Sequence, residues 1–398
     1  MPATRTRSVM VGFMIGAFAL GTSESVVAGI LPQISAGTGV AVAGVGSLVL
    51  AYAATVTVLG PLVTVALSRW STRRTLLALL VWYAAANVLA ASAPTFEVLF
   101  VARVLAGLAH TTILVRFSLT AIHLARPGRE ASSMGMVLVG LTAASVLGVP
   151  AGIVLTDLAS WRAPFLLIAA LALLALVVVM LRLPALPAPA RSRLRGELGW
   201  MRRPGVLVGI GMSVLCAGAS MLVMTYVAPL LTGFSGLDPA LLPAVLLLYG
   251  VGGVVGNLLG ARLADRDLAR ALTWSSAALA VTLAALWSVA ALPWAAVAVL
   301  AAGVAYFATI TPISALVARE SAGPASDVAL AVNSSAFNLG IAGAAGAGGL
   351  ILGAGAPASA LPAAALLPAL AALALVLAYR RLSSPERSLP AASPAIKD

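Results

Sequence analysis

The sequence predicts an all-α integral membrane protein with twelve transmembrane helices, and both its composition and its apolar pattern support this fold class. Of the 398 residues, 61% are hydrophobic and only 9% are charged, with a mean hydropathy of +1.07. A typical soluble domain is about 25% charged. Apolar runs long enough to cross a bilayer, which takes about 20 residues, recur along the whole chain.

The predicted spans fall into two sets of six. The first set lies near 9–31, 43–67, 74–93, 96–124, 131–156 and 163–182, and the second near 205–232, 240–264, 270–290, 292–316, 326–354 and 359–379. The longest and most basic polar gap, rich in proline and arginine, separates them. We therefore predict an N-terminal six-helix half (1–182), a basic linker (183–204), a C-terminal six-helix half (205–381) and a tail (382–398).

The positive charges predict the orientation of the chain. When the gaps are assigned alternately to the two membrane faces, every Arg and Lys except Arg103, Arg116 and Arg162 falls on one face. Positive residues are retained on the cytoplasmic side, so both termini and the linker are expected in the cytoplasm. The net charge of +12 therefore indicates topology. The arginines do not alternate with aromatic residues as they do on a nucleic-acid-binding surface, so no nucleic acid partner is expected.

Glu24 is the only acidic residue deep inside an apolar run, away from its ends. It lies seven residues before the predicted outer end of span 1, and Arg103 lies seven residues after the start of span 4. Both are therefore roughly 10 Å deep at 1.5 Å per residue, and they can pair if the two helices face each other. Glu24 is either a structural carboxylate or a proton-binding site, and its depth in the membrane favours the second interpretation.

Two other polar residues of span 4 leave alternatives open. Arg116 either extends toward the cytoplasmic headgroups or lines a cavity, and His110 is either packed or cavity-lining. Neither histidine has a partner at metal spacing, and Cys216 is the lone cysteine. HExxH, GxSxG and GxxxxGK[ST] motifs are absent from the sequence. We expect no enzyme activity, no metal and no cofactor, and an ion gradient as the energy source.

Several motifs resemble one family. Residues 21–35, GTSESVVAGILPQIS, resemble the helix 1 signature of the drug and sugar efflux branch of the major facilitator superfamily, which includes chloramphenicol and arabinose exporters. RVLAGLAH (103–110) is similar to its helix 4 motif, whose arginine is tied to proton transfer, and VGLTAASVLGVPAG (139–152) to its helix 5 antiporter motif. GARLADRD from Gly260 and the run from Asn333 resemble its loop 8–9 and helix 11. The resemblance covers essentially the whole chain.

This resemblance implies a fold of inverted three-helix repeats within each half and a site near the membrane midplane. It implies a monomeric, multi-pass protein of the bacterial cytoplasmic membrane, which exports a small amphipathic compound, such as an antibiotic, in exchange for protons. Export of sugars, amino acids or nucleosides is the alternative, and a transport-dead receptor or scaffold is a more remote one. The expected partners are a small-molecule substrate, protons and the lipid bilayer.

The resemblance also assigns residues to roles. Proton coupling falls to Glu24 and Arg103. The substrate cavity is expected to include His110, Arg116, Tyr226, Tyr249, Asn257, Tyr306, Asn333 and Asn338. Gating is expected of Gly60, Arg69, Arg73, Arg74, Gly140, Gly148, Pro150, Gly152, Gly260, Asp265 and Arg266, although helix packing alone could explain the glycines.

The chain departs from the family pattern at three positions. Ser68 stands where the family usually has an aspartate, which puts the loop 2–3 latch of the first half in doubt, whereas Asp265 preserves its counterpart in the second half. Thr111 replaces a glycine, and Arg116 is unexpected. Both substitutions are expected to influence substrate choice.

Overall fold

The computed structural model describes residues 3–184, 202–321 and 326–383. Almost all of the predicted linker (183–204) and tail (382–398) lies outside these ranges. Within them, all regular secondary structure is helical, and twelve helices are long and apolar enough to cross a membrane. The predicted all-helical fold class with twelve spans is confirmed.

Each predicted span corresponds to one helix, and the ends agree within four residues except that α7 ends at Met224, eight residues before its predicted end. The helices are α1 (Thr6–Gly29), α2 (Ser47–Ala66), α3 (Thr72–Ala91), α4 (Phe96–Leu124), α5 (Glu130–Leu158), α6 (Ala163–Arg182), α7 (Pro204–Met224), α8 (Pro239–Arg266), α9 (Leu268–Val289), α10 (Ala295–Glu320), α11 (Ser326–Gly353) and α12 (Ala360–Leu382). We call the face with the loops after α2, α4, α8 and α10 the arginine-rich end, because most of the arginines cluster there. The other face is the opposite end.

The first span ends two residues earlier than predicted because the chain is interrupted at Pro32. Helix α1 ends at Gly29, and a separate short helix, Leu31–Thr38, begins two residues later. Pro32 has no N–H to donate to the carbonyl four residues earlier, so it cannot continue α1 and instead sits in the first turn of the new helix. The short helix ends at Gly39, whose φ of 72° is the left-handed conformation that glycine accommodates.

Helix α2 is locally unwound before a proline. Residues Thr55–Leu59 form a π-helical turn directly before Gly60 and Pro61. Because Pro61 has no N–H, this turn lacks one helical hydrogen-bond donor. Side chains of two other helices donate to the turn: Thr111 of α4 donates to the Val56 oxygen at 3.0 Å, and Ser335 of α11 donates to the Thr57 oxygen.

Gly60 permits this close approach of α2 and α4. A Cβ atom at Gly60 would lie 2.2 Å from Oγ1 of Thr111, well inside van der Waals contact. Thr111 stands where the family usually has a glycine, and its hydroxyl group donates a hydrogen bond to the backbone of α2. The structure gives it a structural contact rather than a place in a substrate cavity.

The buried apolar side chains form two large cores and two smaller ones. One large core draws its members from Val9 to Leu183 and the other from Val208 to Val376, so each lies within one set of six helices. A smaller core combines residues of both sets, among them Val115, Met134, Val317 and Leu330. These residues lie near the arginine-rich end, where the two sets of helices are in apolar contact.

The glycines of α5 pack against α1. A Cβ atom at Gly140 would lie 2.4 Å from the backbone oxygen of Met14, and one at Gly148 would lie 2.1 Å from Oγ1 of Thr22. Gly152 is similarly close to Val26. These glycines therefore contact a helix of their own half, which agrees with the helix-packing alternative.

Gly140→Ala should destabilise the protein, because its new methyl group would meet the α1 backbone and overpacking costs about 1–3 kcal/mol. Gly343→Ala of α11 is the matched control, since a Cβ atom there would meet nothing within 4 Å. Thermal unfolding in detergent should show a lower midpoint for Gly140→Ala and an unchanged or slightly higher one for Gly343→Ala. Equal midpoints would contradict the close α1–α5 contact.

Candidate functional site

A cluster of polar side chains lies inside the N-terminal set of helices, in the part of the membrane nearer to the opposite end. Glu24 and Ser23 come from α1, Tyr52 from α2, and Arg103 and His110 from α4. Seven residues correspond to about two helical turns, so α4 presents Arg103 and His110 on the same face. The sequence predicted three of these residues and missed Ser23 and Tyr52.

Arg103 is held by Ser23 and Tyr52. Its side chain is buried, with 1% exposure, and Nη1 donates to Oγ of Ser23 at 2.9 Å. The guanidinium carbon lies 4.0 Å from the centre of the Tyr52 ring, which is a cation–π contact. Among the described residues, Nε and Nη2 have no hydrogen-bond partner. Arg103 thus carries a buried positive charge with unused donors.

The predicted ion pair between Glu24 and Arg103 is not a direct contact in this structure. The basic group within 4.0 Å of Glu24 is His110, whose Nε2 lies 4.0 Å from Oε2 of Glu24. Arg103 instead bonds to Ser23, the neighbour of Glu24 in the chain. The estimated depths thus predicted correctly that α1 and α4 meet at this level of the membrane. They did not predict which residue of α1 forms the hydrogen bond with the guanidinium of Arg103.

Glu24 is the accessible member of the cluster. Its side chain is 39% exposed, whereas that of His110 is 4% exposed. On the far side of the His110 ring, Nδ1 lies 2.8 Å from the Tyr52 hydroxyl oxygen, and the two rings meet edge to face at 86°. The contacts therefore form one continuous chain, which runs from Glu24 through His110, Tyr52 and Arg103 to Ser23.

Arg116 forms a second buried cluster toward the arginine-rich end. Its Nη2 lies 2.9 Å from Oδ2 of Asp327 in the first turn of α11, and the two side chains are 3% and 8% exposed. Arg116 also donates to Oγ1 of Thr72 and to the carbonyl oxygen of Leu67, each at 3.4 Å. We expected Arg116 either to extend toward the headgroups or to line a cavity. Both expectations were wrong, because its guanidinium is buried against a carboxylate of the other half.

Two further polar contacts join the halves nearby. Both carboxylate oxygens of Asp265, in the last turn of α8, accept the backbone N–H of Ser132 at 3.1 Å in the first turn of α5. Asn257 of α8 donates to Thr142 of α5 at 2.8 Å and accepts from Thr311 of α10 at 3.0 Å. Asn257 was expected to line a cavity, but its amide is buried and fully engaged between helices.

The other predicted cavity residues of the second half contact their own half. Among the tyrosines, Tyr226 donates to the Ala345 carbonyl at 2.6 Å, Tyr249 shares a hydrogen bond with Ser220, and Tyr306 stacks on Phe337. Of the asparagines, Asn333 accepts from Ser213 at 2.8 Å and Asn338 donates to the Ser334 carbonyl. Asn333 and Phe337 line a small cavity between α7, α10 and α11. The structure does not bring these residues into contact with the Glu24 cluster.

The remaining motif residues have mixed surroundings. Arg73 donates to the Met180 carbonyl of α6 at 2.8 Å, and a Cβ atom at Gly260 would meet the Ala308 carbonyl of α10 at 2.2 Å. The side chains of Arg69, Arg74, Pro150 and Arg266 are exposed. Sequence reasoning missed Asp327 and Ser335, although an acidic residue opposite an unexplained buried arginine is the signal that could have identified Asp327.

Membrane-spanning helices that hold ionisable side chains in their interior are typical of polytopic membrane transport proteins. A family model described as Major Facilitator Superfamily matches residues 13–326. The chain belongs to the Major Facilitator Superfamily, and it is a multi-pass inner-membrane transporter and not an enzyme.

Known relatives share this architecture. The inner membrane transport protein YdhP of Escherichia coli (strain K12) is 35% identical over 347 residues, covering 87% of this chain and 89% of that protein. A chloramphenicol resistance protein of Streptomyces lividans is 34% identical over 272 residues, covering 67% and 69%. The crystal structure of FucP in the outward conformation superposes with a TM-score of 0.73 at 15% identity, covering 94% of this chain and 98% of that one. The likeness to FucP shows the shared fold.

A double-mutant cycle tests the Arg116–Asp327 pair. Arg116→Met and Asp327→Leu should each lower the free energy of unfolding by about 3–5 kcal/mol, because each strands a buried charge. The double variant should recover much of that loss, since neither charge remains. Thermal or denaturant unfolding in detergent measures all three variants.

Arg270→Met provides the control, because Arg270 and Asp267 form an exposed ion pair one turn apart. Its effect should stay below about 1 kcal/mol. Additive losses in the Arg116→Met/Asp327→Leu protein would show that the two side chains do not interact.

Proposed function

We propose that this transporter exports a small amphipathic compound in exchange for protons, and that Glu24 carries the proton. The observation that carries the proposal is a half-exposed carboxylate within a membrane-spanning helix, next to the buried cation Arg103. A neutral and an ionised Glu24 differ by a full charge in a membrane-embedded setting, so conformational change can be linked to its protonation.

Alternating access explains the uneven distribution of contacts between the halves. The polar contacts Arg116–Asp327 and Asp265–Ser132 lie toward the arginine-rich end, and the contact Ser335–Thr57 lies near the middle of α2. With the arginine-rich loops in the cytoplasm, this arrangement corresponds to a protein closed on the inside, with Glu24 accessible from the outside. These contacts would break when the inner side opens, and Glu24 would then release its proton to the cytoplasm.

Competition between substrate and proton would couple the two fluxes. A substrate that binds beside Glu24 favours one protonation state, and by reciprocity the proton changes substrate affinity by the same factor. Arg103 can contribute because its Nε and Nη2 have no partner among the described residues and are available to a carboxylate. The contact with Ser23 keeps this charge within one residue of Glu24.

An antibiotic is the substrate class we propose, and one of the relatives supports it. The chloramphenicol resistance protein of Streptomyces lividans shares two thirds of its length with this chain. The C-terminal set of helices adds a group of aromatic side chains, Tyr249, Tyr306, Phe307 and Phe337, that suits a compound with an apolar ring. We propose that the protein works as a monomer and needs only the proton gradient as its energy source.

Reconstituted liposomes with an imposed pH gradient test this function. Chloramphenicol should drive proton flux in the wild-type protein, and Glu24→Gln should abolish that flux, because an amide cannot take up and release the proton. Glu97→Gln is the matched control, since Glu97 is an exposed glutamate in the first turn of α4. It should retain wild-type flux.

Exchange of labelled chloramphenicol without a pH gradient should survive Glu24→Gln, which shows that the variant still folds and binds. Proton-driven efflux that is undiminished in Glu24→Gln would contradict the role of Glu24. Proton flux that is driven by arabinose and not by chloramphenicol would show that the substrate is a hydrophilic metabolite and not an antibiotic.

A further inference from the structure

His110 has a defined partner on each side of its ring. Nδ1 lies 2.8 Å from the hydroxyl oxygen of Tyr52, and Nε2 lies 4.0 Å from Oε2 of Glu24. Both His110 and Tyr52 are buried, at 3% and 1% exposure, so neither can easily turn away. The orientation of the imidazole is therefore fixed by the surrounding helices, and the half-exposed Glu24 is the mobile partner.

The surroundings indicate that the imidazole is neutral. Arg103 already places one buried positive charge against the Tyr52 ring, and a second buried cation beside it would cost free energy. A neutral imidazole donates from one nitrogen and accepts at the other. When the Tyr52 hydroxyl donates to Nδ1, the ring hydrogen resides on Nε2, the nitrogen that faces Glu24.

We propose that His110 is a positioning residue for the proton site: Tyr52 selects its tautomer, and the Nε2–H group then stabilises the ionised form of Glu24. This inference rests on the proposed function, in which Glu24 binds the transported proton. The 4.0 Å separation exceeds a direct hydrogen bond, but rotation of the exposed Glu24 side chain closes it. Hydrogen bonds at such sites are commonly long before the working complex forms.

Few other groups can affect the charge of Glu24. Helix α4 contributes Arg103 and His110, α2 contributes Tyr52, and α3 contributes Tyr83, whose hydroxyl donates to the Ala19 carbonyl at 3.4 Å. Two helices pack against α1 from the other sides. Near Glu24, α5 presents Gly148 and Gly152, with the exposed Asp157 near its outer end, and the sole ionisable group of α6 is Arg182 at the arginine-rich end.

Infrared titration of the reconstituted protein tests the inference, with the proton itself as the probe. The C=O stretch of a protonated carboxyl group reports the neutral form of Glu24, and its loss in Glu24→Gln assigns the band. A hydrogen bond to a charged group is strong enough to move a titration midpoint by about one pH unit. His110→Leu should therefore raise the midpoint of Glu24 by about one pH unit.

Two further variants separate positioning from other roles. His110→Gln should shift the midpoint less than His110→Leu, because its amide can donate to Glu24 without titrating. Tyr52→Phe keeps the ring beneath Arg103 but removes the hydroxyl, so it should also raise the midpoint. Ser275→Ala, which removes a buried hydroxyl from α9 in the C-terminal set of helices, should leave the midpoint unchanged.

The outcomes are distinct. A midpoint that does not move in His110→Leu, or that moves equally in His110→Gln and His110→Leu, overturns the inference, and Tyr52→Phe decides the matter if His110→Leu does not fold. Proton-driven efflux that persists in Glu24→Gln defeats the proposed function whatever the infrared result. If efflux depends on Glu24 but the midpoint is insensitive to His110 and Tyr52, only the role of His110 fails.

Discussion

Inside a bilayer, every charge and every backbone polar group must find its partner within the protein, and this constraint explains the polar contacts of the structure. The guanidinium of Arg103 rests on Tyr52 and Ser23, and that of Arg116 rests on Asp327. The same requirement governs the backbone. Where Pro61 interrupts α2, hydroxyl groups of α4 and α11 donate to carbonyls of the turn before it, so a local break in one helix becomes a contact between helices.

The loss of an acidic residue in the first half is offset by one from the second half. Asp265, in the last turn of α8, places its carboxylate at the N-terminus of α5, where it accepts a backbone N–H and interacts with the helix dipole. The loop after α2 has Ser68 where the corresponding aspartate is expected. At the N-terminus of α11, Asp327 provides the negative charge instead, and Arg116 connects it to the carbonyl of Leu67 in that loop. Arg116 thus connects Asp327 to the loop that contains Ser68.

The sequence predicts the helices of this protein well and their facing surfaces poorly. Long apolar runs separated by arginines define the spans, and equal depth correctly placed Glu24 and Arg103 in one cluster. Lipid-facing and protein-facing sides of a membrane helix are both apolar, so the pattern does not reveal rotation. In α5, Gly140 faces α1 while Thr142 faces α8, and only the structure distinguishes these faces.

Helix α4 connects the Glu24 cluster to the polar contacts between the halves near the arginine-rich end. It carries Arg103 and His110 near one end and Arg116 toward the other, and the thirteen residues from Arg103 to Arg116 span about 20 Å. Unlike α2, α5 and α10, it contains no proline and runs without interruption from Phe96 to Leu124. An uninterrupted helix moves as a unit. A displacement of α4 that brings Arg103 closer to Glu24 therefore also moves Arg116 relative to Asp327. The same helix thus carries the arginine near Glu24 and the arginine that contacts the other half of the protein.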